Sequence, residues 1–94
     1  MFRVVYITAV AKDIKALPLV VQELLHQKYF PELSSNPFAG KPLVGIFKGY
    51  YSKAFSFVGT QYRLVYEINK KQITVIIVMI GSRENLYKNL KRRI

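Results

Sequence analysis

The chain contains no cysteine, no tryptophan and a single histidine, and only five of its 94 residues are acidic. The missing cysteines exclude disulfide staples, thiolate zinc sites and cysteine nucleophiles, and fit a reducing cytoplasm. One histidine, His26, excludes a paired-histidine ribonuclease. His26 lies beside an apolar helical stripe and reads as a surface or core-edge residue. The five carboxylates are scattered, with Asp13, Glu23 and Glu32 in the first half and Glu67 and Glu84 in the second, so no metal site and no cofactor are expected. No G-x-x-x-x-G-K-[ST] phosphate loop is present, and Ser82 has no histidine near it in sequence for a serine triad. The longest apolar run, Ile73–Ile80, broken only by Thr74, is less than half of the roughly 20 residues a membrane-spanning helix needs. The apolar start Phe2–Ala11, with Arg3, has the look of a short signal segment. However, Lys12 and Asp13 follow at once and its residues alternate like a strand, so neither export nor a membrane partner is expected.

What the chain has is positive charge and apolar mass. Fifteen Lys and Arg against five Asp and Glu give a formal net charge of +10, and hydrophobic residues make up 51%, enough for the core of one domain spanning 1–94. The charge is lopsided. Residues 1–40 hold four basic and three acidic side chains, whereas residues 41–94 hold eleven basic and two acidic. A field of that size draws polyanions, nucleic acid first among them.

Periodicity predicts a strand over Arg3–Ile7, a short helix over Ala9–Leu17, and a second helix that starts at Pro18 and ends at Pro31. Val20, Val21, Leu24 and Leu25 mark the apolar face of the second helix. Ser34 to Gly49 is punctuated by proline and glycine and reads as a long loop carrying Lys41 and Lys48. Three strands follow, Tyr51–Val58, Tyr62–Ile68 and Ile73–Ile80, with turns at Gly59-Thr60 and at Asn69-Lys70-Lys71. Lys53, Phe55 and Phe57 alternate with Ser52, Ala54 and Ser56, and Tyr62, Leu64 and Tyr66 alternate with Arg63, Val65 and Glu67. Ile73–Ile80 is apolar on both faces and should be central. Arg83–Arg93 should be a final helix docked by Leu86 and Leu90. The order β-α-α-β-β-β-α is an α+β fold: an antiparallel sheet, made of a meander and the first strand, packed on a helical hairpin.

The residues left for chemistry are basic and phenolic. Arg63 sits inside an alternating strand and needs solvent or a partner; Glu67 on the same face is the internal candidate. Arg83 and Tyr87, four apart, share a face if the last helix begins at Arg83, and Lys91 and Arg92 extend that basic surface. Lys53 stands near the Arg63 strand through the hairpin. Such groups suit RNA cleavage by its own 2′-hydroxyl, which needs a base, cations on the phosphorane and an acid for the leaving 5′-oxygen. Arginine forks match phosphate oxygens, a lysine crowded by arginines loses its proton more easily, and an aromatic ring can stack on a base.

Four segments, in order, resemble one family. Ala11-Lys12-Asp13-Ile14-Lys15-Ala16-Leu17-Pro18 resembles the opening helix of RelE/ParE toxins. Asn36-Pro37-Phe38, Gly40-Lys41-Pro42-Leu43 and Lys48-Gly49 resemble their loop. Gln61-Tyr62-Arg63-Leu64-Val65-Tyr66-Glu67-Ile68 resembles their central strand, and Gly81-Ser82-Arg83-Glu84-Asn85-Leu86-Tyr87 their ending. The resemblance implies a toxin of a type II toxin–antitoxin pair that cleaves messenger RNA on the ribosome without metal and is neutralised by an acidic antitoxin protein. It implies that Arg63 holds the scissile phosphate, that Arg83 stabilises charge or assists the leaving group, and that Tyr87 stacks on or orients the nucleotide. The family's Lys-x-Lys pair falls on the first meander strand, where Lys53 is the lysine present; Lys48 and Lys41 are the other candidates for the base. Two alternatives stand beside it: inhibition of DNA gyrase on the same fold, and non-catalytic nucleic-acid binding.

Overall fold

A computed structural model describes residues 1–94. The chain runs β1 (Arg3–Tyr6), α1 (Thr8–Lys15), α2 (Leu19–Leu24), a π-helical turn (Leu25–Tyr29), α3 (Phe30–Ser35), β2 (Lys41–Pro42), β3 (Tyr50–Phe57), β4 (Thr60–Asn69), β5 (Thr74–Ser82) and α4 (Leu86–Arg93), with short 3-10 turns at Pro37–Ala39 and Gly45–Phe47. The strands form one sheet in the order β1-β5-β4-β3-β2. No helix is long and apolar enough to cross a membrane.

The meander β3-β4-β5 is antiparallel, as its alternation predicts. The first strand departs from the expectation of a wholly antiparallel sheet. β1 runs parallel to β5, from Arg3 opposite Thr74 to Tyr6 opposite Ile77. The helices between β1 and the meander return the chain to the starting end of β5, so the two strands point the same way. This makes β5 central and explains why its residues are apolar on both faces.

Pro31 does not end the second helix. The Phe30 N–H reaches back five residues to the Leu25 carbonyl, and helical backbone continues to Ser35. The wider π turn makes room for the pyrrolidine ring one residue later. Val20, assigned to the apolar face, is half-exposed. The long loop is more ordered than its composition suggests, because Lys41 and Pro42 pair with Ser52 and Tyr51 as an edge strand. The first hairpin turns at Val58 and Gly59, both at positive φ, one residue earlier than expected.

The core has two parts, one on each face of the sheet. On the first face Val10, Ile14, Val21, Leu25, Tyr29 and Leu33 of the helical layer meet Phe55, Tyr62, Leu64, Tyr66, Val75, Ile77 and Ile80. On the second, Leu86 and Leu90 of α4 meet Val65, Val78 and Met79. Two fully buried leucines contribute about 1.5–3 kcal/mol each, which is most of what holds this short helix down. A polar tie adds to them: Arg93, in the last turn, donates to both carboxylate oxygens of Asp13 on α1, at 2.6 and 3.0 Å.

One irregularity sets the phase of the second half of β5. Val65 pairs with Met79 and Tyr66 with Ile77, so Val78 is an extra residue in β5, a β-bulge. Ile77 and Ile80 therefore face the helical layer, while Val78 and Met79 both face α4. Past the bulge, the alternation of β5 is reversed.

Candidate functional site

On the α4 face of β4, alternation places Gln61, Arg63 and Val65 in a row. Arg63 is flanked by Ala54 on β3 and Gly81 on β5, both too small to cover it. Ala54 and Ser56 are exposed, so the floor beside Arg63 is open. One guanidinium nitrogen of Arg63 lies 3.5 Å from the Tyr87 hydroxyl. Its Nε is buried and has no hydrogen-bond partner. Glu67 does not neutralise it. Glu67 stands opposite Tyr50 on β3, whose phenol is pushed above its usual range by burial and then by the charge of Glu67.

Arg83 joins this face because of the bulge. Odd-numbered residues of β5 below Val78 face the helical layer; above it they face α4, as Gly81 shows, whose added Cβ would meet Leu86. The Arg83 N–H continues the ladder to the Gln61 carbonyl at 2.9 Å, and its guanidinium donates to the Gln61 side-chain oxygen at 3.3 Å. Two strand residues, about 7 Å, separate the Arg83 row from the Arg63 row. A groove of about 670 Å³ lined by Gly59, Thr60, Gln61, Ser82, Arg83 and Glu84 opens at that end of the sheet.

The helix begins at Leu86 rather than at Arg83, so Arg83 and Tyr87 do not share a helical face. Asn85 adopts a left-handed conformation (φ 60°) that swings the chain from strand to helix. Tyr87 reaches Arg63 from α4, and Arg83 reaches the same face from the end of β5. The ring of Phe47 lies 5.8 Å from that of Tyr87, which brings the 3-10 turn, and Lys48 after it, to the rim. Lys41 pairs with Ser52, and cross-strand partners share a face, so Lys41 projects on the same side as Arg63. Lys91, one helical turn after Tyr87, lines a hollow with Ile46, Tyr50 and Ile94. Arg92 is exposed and lies roughly 140° round the helix from Tyr87.

Lys53 is not in this cluster. It is on the opposite face of the sheet, paired with Glu32 of α3 at 3.2 Å and set 6.0 Å from the centre of the Tyr29 ring. It shares its strand face with Phe55 and Phe57, and those aromatics are drawn to the helical layer. The sites facing Arg63 and Gln61 across β3 are held by Ala54 and Ser56. Sequence reasoning did not single out Gln61, Phe47 or the Asp13–Arg93 pair. No three His, Asp or Glu side chains converge to hold a metal.

Residues 4–91 match the family described as ParE-like toxin of type II bacterial toxin-antitoxin system. The chain belongs to that family. Among solved structures, the toxin is 31% identical to a chain of the toxin–antitoxin complex RelBE2 from Mycobacterium tuberculosis, covering 87% of this chain and 98% of that one, with a TM-score of 0.74. The intact RelBE toxin–antitoxin complex of E. coli shares its fold at 24% identity, 89% and 99% coverage and a TM-score of 0.71. The isolated E. coli RelE toxin does so at 23% identity, 99% and 98% coverage and a TM-score of 0.69. No curated protein matches the sequence.

Proposed function

We propose that this toxin is a metal-independent endoribonuclease that cleaves messenger RNA, on the ribosome, by attack of a 2′-hydroxyl on the adjacent phosphate. The observation that carries the reading is the state of Arg63: a guanidinium set into a sheet face, with no carboxylate partner and a buried, unpaired Nε. A cation partly withdrawn from water without a counter-charge is costly, and an RNA phosphate bound to its accessible side would supply that charge.

In this mechanism the 2′-oxygen bonds to phosphorus and the 5′-oxygen leaves, giving a 2′,3′-cyclic phosphate and a free 5′-hydroxyl. Arg63 grips the scissile phosphate. Arg83 stabilises the added charge of the phosphorane and assists the leaving 5′-oxygen, which takes its proton from water, and Tyr87 stacks on or orients the nucleotide. The proton from the 2′-hydroxyl goes to a lysine of the rim, Lys48 or Lys41, since Lys53 faces the other way. Lys91 holds a flanking phosphate, and Arg92, on the outer side of the helix, adds to the field that draws the RNA. An acidic antitoxin is the partner that covers this basic face, as antitoxins assemble with the RelBE toxins named above.

A second reading, inhibition of DNA gyrase, is favoured by one observation: Ala54 and Ser56, not lysines, stand across β3 from Arg63 and Gln61. The two are separated by expressing the wild type, Arg63→Ala and Arg83→Ala, mapping transcript ends and assaying gyrase supercoiling. Growth arrest with new transcript ends, lost in both variants, is the expected result. Arrest and cleavage unchanged in both variants would sink the site assignment, and supercoiling inhibition without RNA cleavage would replace the reading.

A further inference from the structure

β1 stops pairing with β5 at Tyr6 opposite Ile77, so from the Val78 bulge onward the main chain of β5 has no strand partner on that edge. Two of the main-chain groups there find the same pair of side chains. The Val78 carbonyl accepts from the Arg93 guanidinium at 3.0 Å, and the Ile80 N–H donates to Asp13 Oδ2 at 3.1 Å. The two side chains are joined to each other by the bidentate contact already described, and both are mostly shielded from solvent. The Asp13 hydrogen bond holds the Arg93 guanidinium above its usual pKa, against the lowering effect of burial. Asp13 and Arg93 thus bracket the one irregular residue of β5 from α1 and from α4.

We infer that Asp13 and Arg93 are positioning residues that lock the Val78 bulge and thereby set both Arg83 and Tyr87 on the face of Arg63. The inference rests on the proposed nuclease reading for its functional consequence, and on the register for its structural one. The bulge is what reverses the alternation of β5. Were Val78 drawn back into regular pairing, Gly81 and Arg83 would turn toward the helical layer and Ser82 toward α4. All five residues from Ile76 to Ile80 are apolar, so side-chain polarity penalises such a slip weakly, and the lock has to come from elsewhere. Arg93 acts at the same time on the last turn of α4, fixing the helix that carries Tyr87.

The test is a double-mutant cycle between Asp13→Asn and Arg83→Ala, at a temperature where circular dichroism shows every variant folded. Asp13→Asn is expected to lower the cleavage rate at saturating ribosome-bound messenger RNA at least tenfold while changing KM less than threefold. In the Arg83→Ala background it is expected to cost less than threefold, because the placement of Tyr87 is all that is left to lose. A purely structural role would give additive losses in both backgrounds and would overturn the inference. Arg93→Lys, which keeps the charge but not the fork, serves in the same way if Asp13→Asn does not fold. A second arm does not depend on cleavage. Nuclear Overhauser contacts between the Arg83 and Gln61 side chains should vanish in Asp13→Asn, and their persistence would overturn the inference. If the wild type cuts no RNA, the nuclease reading fails and this arm alone decides the lock.

Discussion

The Arg63 guanidinium approaches the Tyr87 hydroxyl to 3.5 Å, a contact at the long limit of a hydrogen bond that leaves the charge without a true partner. A residue kept for folding would be better satisfied, so Arg63→Met should separate stability from activity. Methionine preserves the aliphatic stem and removes a buried donor that has no acceptor. Chemical denaturation should show stability unchanged or raised by about 1 kcal/mol. Cleavage should fall about 100- to 1,000-fold, the usual cost of removing an electrostatic contact to the transition state. A loss of stability of several kcal/mol would mean that Arg63 is structural.

The strand opposite Arg63 invites a gain-of-function prediction. Ala54 pairs directly with Arg63 and is exposed on the same face, so Ala54→Lys places an ammonium group beside the guanidinium and the phosphate it is proposed to hold. If proton transfer limits the reaction, this variant should cleave RNA faster than the wild type at neutral pH, by tenfold or more. Lys53→Ala should leave cleavage within twofold and cost no more than about 1 kcal/mol, because Lys53 is held by a partly exposed pair on the other face. Slower cleavage in Ala54→Lys, or loss of activity in Lys53→Ala, would contradict the assignment of faces.

Much of this arrangement is legible in the residues. Alternation in Tyr62–Ile68 places Arg63 opposite the aromatic face, and Leu86 with Leu90 announces a docked helix. The location of Lys53 was also readable, since it shares a period-two face with Phe55 and Phe57. Other features leave no local trace. The bulge falls within an apolar run whose pattern is the same with or without it. Asp13 and Arg93 are 80 residues apart, and nothing near either names the other. The parallel pairing of β1 depends on the path of the intervening helices, and a two-residue strand such as β2 is too short to show a period.

Tyr66 gives a pH prediction. Its hydroxyl donates to the Pro37 carbonyl at 2.7 Å, the Gly40 backbone hydrogen-bonds to it, and full burial pushes its pKa up to about 12. The raised value means that the folded state holds the proton longer than the unfolded state does. Its contribution is therefore complete below pH 10 and is lost as pH rises from 10 to 12. The stability difference between wild type and Tyr66→Phe should be constant through neutrality and then shrink by roughly 2–3 kcal/mol across that window. A difference that stays level to pH 12 would show that the phenol titrates normally. Gly40→Ala should be severely destabilising at any pH, because its Cβ would overlap the Tyr66 hydroxyl.

The hairpin between β3 and β4 turns through Val58 (φ 46°) and Gly59 (φ 77°). Two residues at positive φ match the turn that best fits the twist of paired strands, and its preferred sequence is Asn-Gly. Valine is a poor occupant. Its branched Cβ crowds the backbone at positive φ, and its side chain is 85% exposed, so no burial offsets the strain. Val58→Asn should therefore stabilise the protein by about 1 kcal/mol, raising Tm by roughly 4–8 °C, with the fold unchanged. Scanning calorimetry checks the first, and an unchanged register of Phe57 opposite Thr60 checks the second. A melting point that does not rise would show that the tip relaxes out of this turn in solution. Because the substitution adds no charge near Arg63 or Arg83, cleavage should change less than twofold; a larger loss would make the exposed valine a contact to the RNA or the ribosome.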